Sequence, residues 1–286
     1  MTRRERRCDR EPTGAHPRCR GVEDGGGLIV SFEFLAVDGA TRVGRHAPVA
    51  HSPMEGQARN AGARFEQRDG WNVAVGYADP VVERAATETG GAWIDSSHLG
   101  KIELQAAPAA LGEIVARACG GADATDAYTL ELGLATRAAG AWWCPLTPDR
   151  ALAICPASRT AALRERVEEA AGASSGLASV IEVTTLHAAI TLSGPLAREM
   201  FARFCALDLR PQSTPVRGVR PGSVARTPGL VLREAEDRFL VLFGWALGEY
   251  MWSVVEDAGA RLGARPVGVD ALGPLDAAAP EPGTDA

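Results

Sequence analysis

Four side chains with catalytic potential lie within one short stretch of the chain. Asp95, Ser97, His98 and Lys101 all fall between residues 93 and 105. A carboxylate, a hydroxyl and an imidazole are the groups of a nucleophilic triad, in which the imidazole accepts the proton of the hydroxyl. Neighbouring side chains on an extended backbone point in different directions, so these three are poorly placed to converge. We therefore favour a polar turn whose Asp and Ser side chains bond nearby backbone groups.

Lys101 is the only lysine among 30 basic residues, and the remainder are arginine. A lone lysine invites the hypothesis of a nucleophilic or Schiff-base role. The chain is also rich in Ala and Gly, which indicates a GC-rich coding sequence and explains part of the lysine depletion. We therefore expect Lys101 to be structural, as most lysines are.

The composition argues against several classes of protein. With 46% hydrophobic and 23% charged residues, the chain is typical of a soluble globular protein. No apolar run approaches the roughly 20 residues that a membrane span needs. The net charge of −6 argues against nucleic acid as a partner. The six cysteines form no C-x-x-C pair, and we expect reduced thiols in a cytoplasmic protein.

Periodicity predicts a series of strands and helices between residues 65 and 172. Asp79 and Pro80 supply an N-cap and a first-turn proline for one helix, and Ser158 is expected to cap another. The predicted strands span residues 71–77, 101–105 and 128–134 and a hairpin at 142–154. The predicted helices span residues 80–90, 108–119 and 158–172.

The same order of elements returns 88 residues later. Ile102 and Leu104 map onto Ile190 and Leu192, and residues 149–152 map onto 237–240. Pro195 opens a second amphipathic helix, and a hairpin and a final helix follow. A period of this length indicates a duplicated domain rather than a solenoid of short repeats. The sequence therefore predicts an α+β fold of two strand–helix–hairpin–helix halves related by a pseudo-two-fold axis.

The chain divides into five predicted segments. Residues 1–29 are arginine-rich and poor in apolar residues, so we expect a disordered extension, and one hypothesis is that it is non-native. Residues 30–60 contain scattered prolines and are expected to be an extended N-terminal segment. Residues 61–175 and 176–275 are the predicted halves, with the fold starting near Phe65. Residues 276–286 are expected to be a disordered tail.

Two side-chain pairs remain as candidates for ligand binding. His98 and His187 nearly superpose in the repeat, but two histidines without a carboxylate make a poor metal site, so we expect no metal. Trp142 and Trp143 offer faces on which a flat, pterin-like ring could stack. Alternation along a strand turns one of the two rings inward, so core packing explains at least one of them.

Two sets of motifs resemble known proteins of one superfamily. Residues 93–104 are similar to the Phe-Asp-Val-Ser-His-Met-Gly-Lys signature of the glycine-cleavage T-protein family, the folate-dependent aminomethyltransferases. Residues 192–198, 205–211, 238–243 and 246–252 resemble the gamma subunit of heterotetrameric sarcosine oxidase. The resemblance covers about residues 60–272 and implies the two-lobed T-protein-type fold. It further implies a tetrahydrofolate site lined by Asp95, His98, Lys101, Trp142 and Arg226.

The chain departs from the T-protein pattern where that family contacts folate. The family's Leu-Asp-Asp stretch is replaced by residues 141–145, which contain no acid. Its Gly-Tyr-Thr-Gly-Glu-Asp-Gly turn is replaced after Thr227, and Glu234 is the nearest acid. Its later Ala-Arg-Asp-Thr-Leu-Arg stretch loses both arginines at residues 270–274, and we expect its C-terminal barrel to be missing. Without a positioned carboxylate, no group is evident to steer proton transfer at the folate.

The resemblance and these departures lead to three hypotheses. The first is an accessory subunit without catalytic residues, of the gamma type, docked on the large, alpha-type subunit of a sarcosine-oxidase-like complex. Flavin and NAD would then be held by partner subunits, and the chain would need no cofactor of its own. The alternative is a stand-alone folate-dependent aminomethyltransferase. A third, an assembly factor for iron–sulfur proteins, lacks the Lys-Gly-Cys-like motif of its relatives.

Overall fold

The computed structural model describes residues 48–120 and 130–272. The helices in these ranges are α1 (Glu55–Asn60), α2 (Pro80–Thr89), α3 (Pro108–Gly120), α4 (Thr160–Gly172), α5 (Ala197–Ala202) and α6 (Gly248–Ala260). The strands are β1 (Ala50–His51), β2 (Arg64–Arg68), β3 (Trp71–Gly76), β4 (Ala92–Asp95), β5 (Gly100–Ala106), β6 (Thr136–Ala138), β7 (Ala141–Thr147), β8 (Arg150–Cys155), β9 (Ala178–Glu182), β10 (His187–Ser193), β11 (Val219–Val224), β12 (Thr227–Ala235), β13 (Arg238–Gly244) and β14 (Arg265–Pro266). Within these ranges, no helix combines the length and the apolar character needed to cross a membrane.

Two sheets share one strand order. The first sheet runs β6-β7-β8-β5-β9, and the second sheet runs β11-β12-β13-β10-β4-β14. Neighbouring strands are antiparallel throughout the first sheet and from β11 to β4 in the second. Each half has two strands, a helix, three strands and a final helix in the same order, so the predicted α+β fold with duplicated halves is confirmed.

The offset of 88 residues holds from the strands to the last helix of each half. Ile102 pairs with Ala153 in the first sheet, and Ile190 pairs with Val241 in the second. The starts of α4 and α6 are separated by the same offset, and so are their ends. The intervening helices differ, since α3 has 13 residues and α5 has 6. The difference in length between α3 and α5 is therefore cancelled by the segments around them, because the offset is again 88 at α4 and α6.

The leading strand of each half pairs with the sheet of the other half. β4 precedes β5 in the chain but pairs with β10, and β9 precedes β10 but pairs with β5. Equivalent hydrogen bonds close the two crossings. Ser96 N donates to Ala189 O at 2.9 Å, and Val183 N donates to Lys101 O at 2.8 Å. Each half consequently contributes one strand to the sheet of the other half.

The sheets pack face to face, and helices cover their outer faces. On the first sheet, Leu104 packs with Leu163 of α4. On the second sheet, Leu192 packs with Met251 of α6. A separate cluster between the sheets includes Trp142 and apolar residues of both. The order of layers is therefore helix, sheet, sheet, helix, with burial of apolar surface as the main stabilising contribution.

The described chain is structured before Phe65, so the prediction of an extended segment over residues 30–60 is wrong for its last part. β1 pairs in parallel with β3, and α1 follows it. Met54 and Ala58 are fully buried in the core cluster that includes residues of α6. Six helical residues are too few to show a helical period, which is why the sequence pattern missed them.

Some predictions concern residues that the structure does not describe. The segments predicted to be disordered, 1–29 and 276–286, lie outside the described residues, as do residues 30–47. The boundaries drawn for the two halves, 61–175 and 176–275, stay predictions.

Two predictions of local structure were wrong. Residues 130–134 form no strand, and Leu134 makes only an isolated bridge to Gly218, while residues 128 and 129 lie outside the described ranges. Gly133 has a φ of +85°, which ends extended structure there, and β6 begins two residues after Leu134. Ser158 does not cap α4, because it lies in a 3-10 turn and α4 begins at Thr160.

A C-terminal segment covers the outer edge of the second sheet. β14 pairs in parallel with β4, and a 3-10 helix, Val269–Leu272, follows. Val267 packs against Ile94 and Ala92 in a small apolar cluster. The buried carboxylate of Glu83 fixes this segment to α2, because it accepts hydrogen bonds from Gly268 N at 2.8 Å and from two backbone amides before α2. This edge of the second sheet is therefore closed within the chain itself.

Candidate functional site

The four candidate side chains surround the tight turn that joins β4 to β5. Asp95 ends β4, and its carboxylate accepts the Ser97 N–H at 3.0 Å. The Ser96 hydroxyl lies 2.7 Å from the Thr191 hydroxyl of β10. The Ser97 hydroxyl accepts the Ala189 N–H at 3.2 Å. These contacts confirm the prediction of a polar turn whose Asp and Ser side chains bond nearby backbone groups, and they hold the turn at the strand crossing.

Lys101 points from β5 into this turn and is fully buried. Its Nζ donates to Ser97 O at 2.8 Å. Burial lowers the pKa of Lys101 to about 7, and the nearby Asp95 carboxylate opposes that shift. Burial also raises the pKa of Asp95, against hydrogen bonds from Ser52 and Ser97 and the charge of Lys101. The fold thus buries an acid and a base, and the charge of each opposes the pKa shift that burial causes in the other.

His98 sits on the same turn and is half-buried. Burial lowers its pKa to about 4, and the positive charges of Lys101 and Arg68 act in the same direction. Tyr77 lies nearby, and burial together with the Asp95 charge raises the pKa of its hydroxyl. That hydroxyl has no hydrogen-bond partner among the described residues. The structure therefore places Asp95, His98 and Lys101 around one turn.

Trp142 belongs to the same row of side chains as Lys101, in the layer between the sheets. Ile154 of β8 pairs with Lys101 on one side and with Trp142 on the other. Directly paired residues share a face of the sheet, so the three side chains follow one another over a span of about 10 Å. All three are fully buried, and the Arg137 guanidinium lies 4.9 Å from the Trp142 ring centre. Trp143 faces the opposite way, into the helix-side core.

Arg226 lies apart from this group. It occupies the tip of the turn between β11 and β12, with a φ of +62°, and its side chain is exposed. Within the described ranges no hydrogen bond or ion pair links it to Asp95, His98, Lys101 or Trp142. The described residues also contain no cluster of three His, Cys, Asp or Glu side chains that could hold a metal ion. Four of the five residues expected at a folate site thus lie in or beside one buried region, and the fifth is on the surface.

A second buried charged group was not anticipated from the sequence. Glu234 and Arg238 form an ion pair of 2.9 Å at the end of the β12–β13 hairpin, and both are buried. Burial raises the pKa of Glu234, while Arg238 and Arg137 oppose the shift. The signal was available, since alternation along β12 from Leu230 and Leu232 places residue 234 on the face between the sheets.

The geometry can be tested against the shape of a folate. A pterin ring would have to stack on Trp142, whose indole is covered by the packed sheets. It would also have to reach Lys101, whose amine is already bonded to Ser97 O. Neither group is accessible while the sheets remain in contact, so the residues present do not fit a folate in this arrangement. What the group does provide is a buried, hydrogen-bonded turn at the junction of the halves.

Comparison with known proteins places the chain in a family. The model of the GCVT N-terminal domain matches residues 54–277, which include both sheets and the polar turn. The chain belongs to this aminomethyltransferase family. The matched region contains both halves, so the family domain is itself the duplicated unit.

Curated relatives match over a short stretch only. The chain is 39% identical over 64 residues to the aminomethyltransferase of Mycobacterium avium, covering 22% of this chain and 17% of that protein. It is 45% identical over 51 residues to the aminomethyltransferase of Mycobacterium bovis, covering 18% and 14% of the two chains. The alignments thus span less than a fifth of these relatives' length.

Two solved structures share the fold. The glycine cleavage system aminomethyltransferase T from Bartonella henselae has a TM-score of 0.65 at 19% identity, and the match covers 78% of this chain and 60% of that one. A chain of heterotetrameric sarcosine oxidase from Corynebacterium sp. U-96 has a TM-score of 0.54 at 22% identity, and the match covers 65% of this chain and 93% of that one. The T-protein-type fold is thereby shown.

Proposed function

We propose that the chain is an accessory, non-catalytic subunit of a sarcosine-oxidase-type complex. In this assembly a large subunit carries the flavin and NAD chemistry that oxidatively demethylates sarcosine, and this chain docks on it. The proposal assigns the chain no cofactor of its own. The four described cysteines are free thiols, which is consistent with a reducing, cytoplasmic location.

The observation that carries the proposal is the filling of the space between the sheets. Lys101, Ile154 and Trp142 are fully buried, and the polar groups at the turn bond to one another. Opening this space for a ligand would expose apolar surface of both halves and leave Ser97 O without its donor. A member of the family with its interior closed in this way retains the scaffold and not the access that catalysis needs.

The coverage of the solved neighbours supports the same proposal. The sarcosine oxidase chain is matched over 93% of its length, so a complete subunit of that complex consists of little more than this fold. The aminomethyltransferase from Bartonella henselae is matched over 60% of its length. The family fold therefore suffices as a whole subunit within an assembly.

Purification from the native host tests the proposal. The full-length chain would be tagged at its chromosomal locus, recovered under mild conditions and analysed by mass spectrometry and absorbance spectroscopy. We expect it to co-purify at a fixed ratio with a flavoprotein whose sarcosine-dependent oxidation can be measured. Recovery of the chain alone, with no bound flavin, would contradict the proposal.

The second candidate is a stand-alone folate-dependent aminomethyltransferase, with Asp95, His98, Lys101 and Arg226 lining its site. It is favoured by the buried acid and base at the β4–β5 turn, because a lysine whose pKa is about 7 can exchange a proton at neutral pH. The curated relatives that match this chain over short stretches are aminomethyltransferases. Tetrahydrofolate-dependent release of a one-carbon unit from an aminomethyl donor by the purified chain would support it.

A further inference from the structure

The two sheets differ at equivalent edges. β4 and β9 are the leading strands of the two halves, and each pairs with the other half's sheet. β4 is covered on its outer side by β14. In the described ranges no strand pairs with the outer side of β9, which ends the first sheet. The described part of the chain therefore closes one of two equivalent edges and leaves the other open.

Two isoleucines at equivalent positions of the two edges differ in solvent exposure. Ile94 pairs with Thr191, and Ile181 pairs with Glu103, at matching positions of the two sheets. Ile94 is 1% exposed, in a cluster with Val267, Ala86 of α2 and the 3-10 helix Val269–Leu272, whereas Ile181 is 53% exposed. Leu177, on the same face as Ile181 by strand alternation, is 95% exposed. Exposed branched aliphatic residues at an open edge are typical of interaction sites.

The backbone at the open edge is arranged as it is at the closed one. In the second sheet, Arg265 N donates to Gly91 O at 3.2 Å and Val267 N donates to Trp93 O at 3.1 Å. The equivalent carbonyls at the β9 edge belong to Ala178 and Val180. The bond from Val183 N to Lys101 O sets the alternation of β9, so the peptide groups of residues 178, 180 and 182 point away from β5.

β9 lacks three of the features that commonly protect an edge strand, namely a lysine, a proline and a bulge. Native proteins blunt such edges with lysine, proline or a bulge. The sequence of β9 is Ala-Ser-Val-Ile-Glu, and its pairing with β5 is regular. Its one charge, Glu182, lies at the end of the strand, 3.4 Å from Arg164 of α4. The middle of the strand, residues 179–181, is uncharged, and no strand in the described ranges pairs with its outer side.

We propose that residues 177–182 receive an extended strand from a partner subunit, parallel to β9. This inference rests on the proposed function as a subunit and names the docking surface. The partner strand would carry aliphatic side chains on the face toward Ile181 and Leu177, as Val267 does toward Ile94. Its amides would donate to Ala178 O and Val180 O, which is strand addition at a sheet edge.

The parallel direction distinguishes a partner subunit from a second copy of the chain. β14 runs parallel to β4, so the equivalent occupant of the β9 edge runs parallel to β9. Two identical strands that pair across a two-fold axis are antiparallel. A closed homodimer through β9 would therefore have the opposite direction to the cover seen at the equivalent edge.

The test compares two exposed apolar positions in the full-length tagged chain. Ile181→Asp places a carboxylate in the proposed docking surface. Val81→Asp is the matched control, since Val81 is 75% exposed on α2, outside that surface. The readouts are flavin bound per mole of chain recovered from the native host, and hydrogen exchange of the amides of residues 178–182.

The expected result is specific to the β9 edge. Wild type and Val81→Asp should recover equal flavin, and Ile181→Asp should recover about tenfold less, because a buried unpaired charge strongly weakens an interface. The amides of Ala178, Val180 and Glu182 should exchange at least about tenfold more slowly in the complex than in the isolated chain.

The contrary outcomes are distinguishable. Equal flavin with Ile181→Asp, or unchanged exchange in β9, would overturn the docking surface and leave the proposed function standing. Recovery of no flavoprotein with the wild-type chain would overturn both. A dimer of the isolated chain, detected by light scattering and abolished by Ile181→Asp, would assign the edge to a second copy and overturn the assignment to a partner.

Discussion

Three paired positions on neighbouring strands carry different side chains in the two halves of the molecule. In the first sheet the row is Lys101, Ile154 and Trp142, and in the second sheet it is Ala189, Leu242 and Leu230. The strand order and pairing are equivalent, so the backbone does not account for the difference. One half supplies a buried cation and an indole where the other supplies aliphatic groups.

The comparison shows what the duplicated fold requires and what has been added to it. At these three positions the second sheet has aliphatic side chains, and its buried ion pair, Glu234 and Arg238, lies elsewhere. The charge of Lys101 is compensated within its own half, through Asp95 and Ser97 O. The buried lysine is therefore a feature of one half only.

Removing the indole should have the largest effect. Trp142→Ala would leave a cavity between the sheets and lower the free energy of unfolding by about 4 kcal/mol. Leu230→Ala, at the equivalent position of the second sheet, removes a smaller buried group and should cost about 3 kcal/mol. Urea unfolding followed by circular dichroism measures both. A cost below about 1 kcal/mol for Trp142→Ala would mean that the indole is not packed and that a ring could stack on it.

A close contact between Gly100 and Thr160 predicts a rescue. A Cβ on Gly100 would overlap Thr160 Oγ1, and the residues at the equivalent positions of the other half are Ala188 and Gly248. Gly100→Ala should therefore cost about 2–3 kcal/mol. Adding Thr160→Gly should recover most of the loss, less about 1 kcal/mol for the new helical glycine. Strict additivity in the double-mutant cycle would show that the two residues do not compete for this space.

The buried lysine predicts a pH dependence that the aliphatic row cannot have. Its pKa is about 7 in the folded chain and 10.5 ordinarily, so between these values the unfolded chain binds a proton that the folded chain does not. The free energy of unfolding should rise with pH in this window, by up to about 1.4 kcal/mol per unit, with no slope from Lys101 below it. Lys101→Met should remove that slope in urea titrations at pH 6 to 10. An identical slope in wild type and Lys101→Met would assign it to other groups.

The smallest effect is expected at the open edge. Ile181→Asp should change the stability of the isolated chain by less than about 0.5 kcal/mol, because the side chain is 53% exposed. Ile94→Asp, at the covered edge, would bury a carboxylate and should prevent stable folding. Thermal unfolding of the two variants provides the measurement. A large loss with Ile181→Asp would show that the β9 edge is already covered within the chain.

The duplication was predictable because sheet pairing preserves a sequence offset. Residues 102 and 190 face the helices in both halves, and the offset of 88 carries through to α4 and α6. The exchange of β4 and β9 between the sheets was not predictable, since it depends on contacts between strands far apart in the chain. Helix α1 was missed because Met54 and Ala58 are placed by tertiary burial rather than by a visible period.

The site was only partly predictable for a related reason. The turn chemistry of Asp95 and Ser97 is local and follows from residue type. The burial of Lys101 and Trp142 depends on the second sheet closing over the first, which no local pattern encodes. Glu234 could be placed by strand alternation, but its partner Arg238 is set by the hairpin register.

The most direct test of the account is a calorimetric titration of the full-length chain with 5-formyltetrahydrofolate. Because Lys101 and Trp142 are closed between the sheets, we predict no binding heat at concentrations up to about 1 mM, from protein that circular dichroism shows to be folded. Micromolar binding that Arg226→Ala abolishes would contradict the account and establish the folate-dependent transferase in its place.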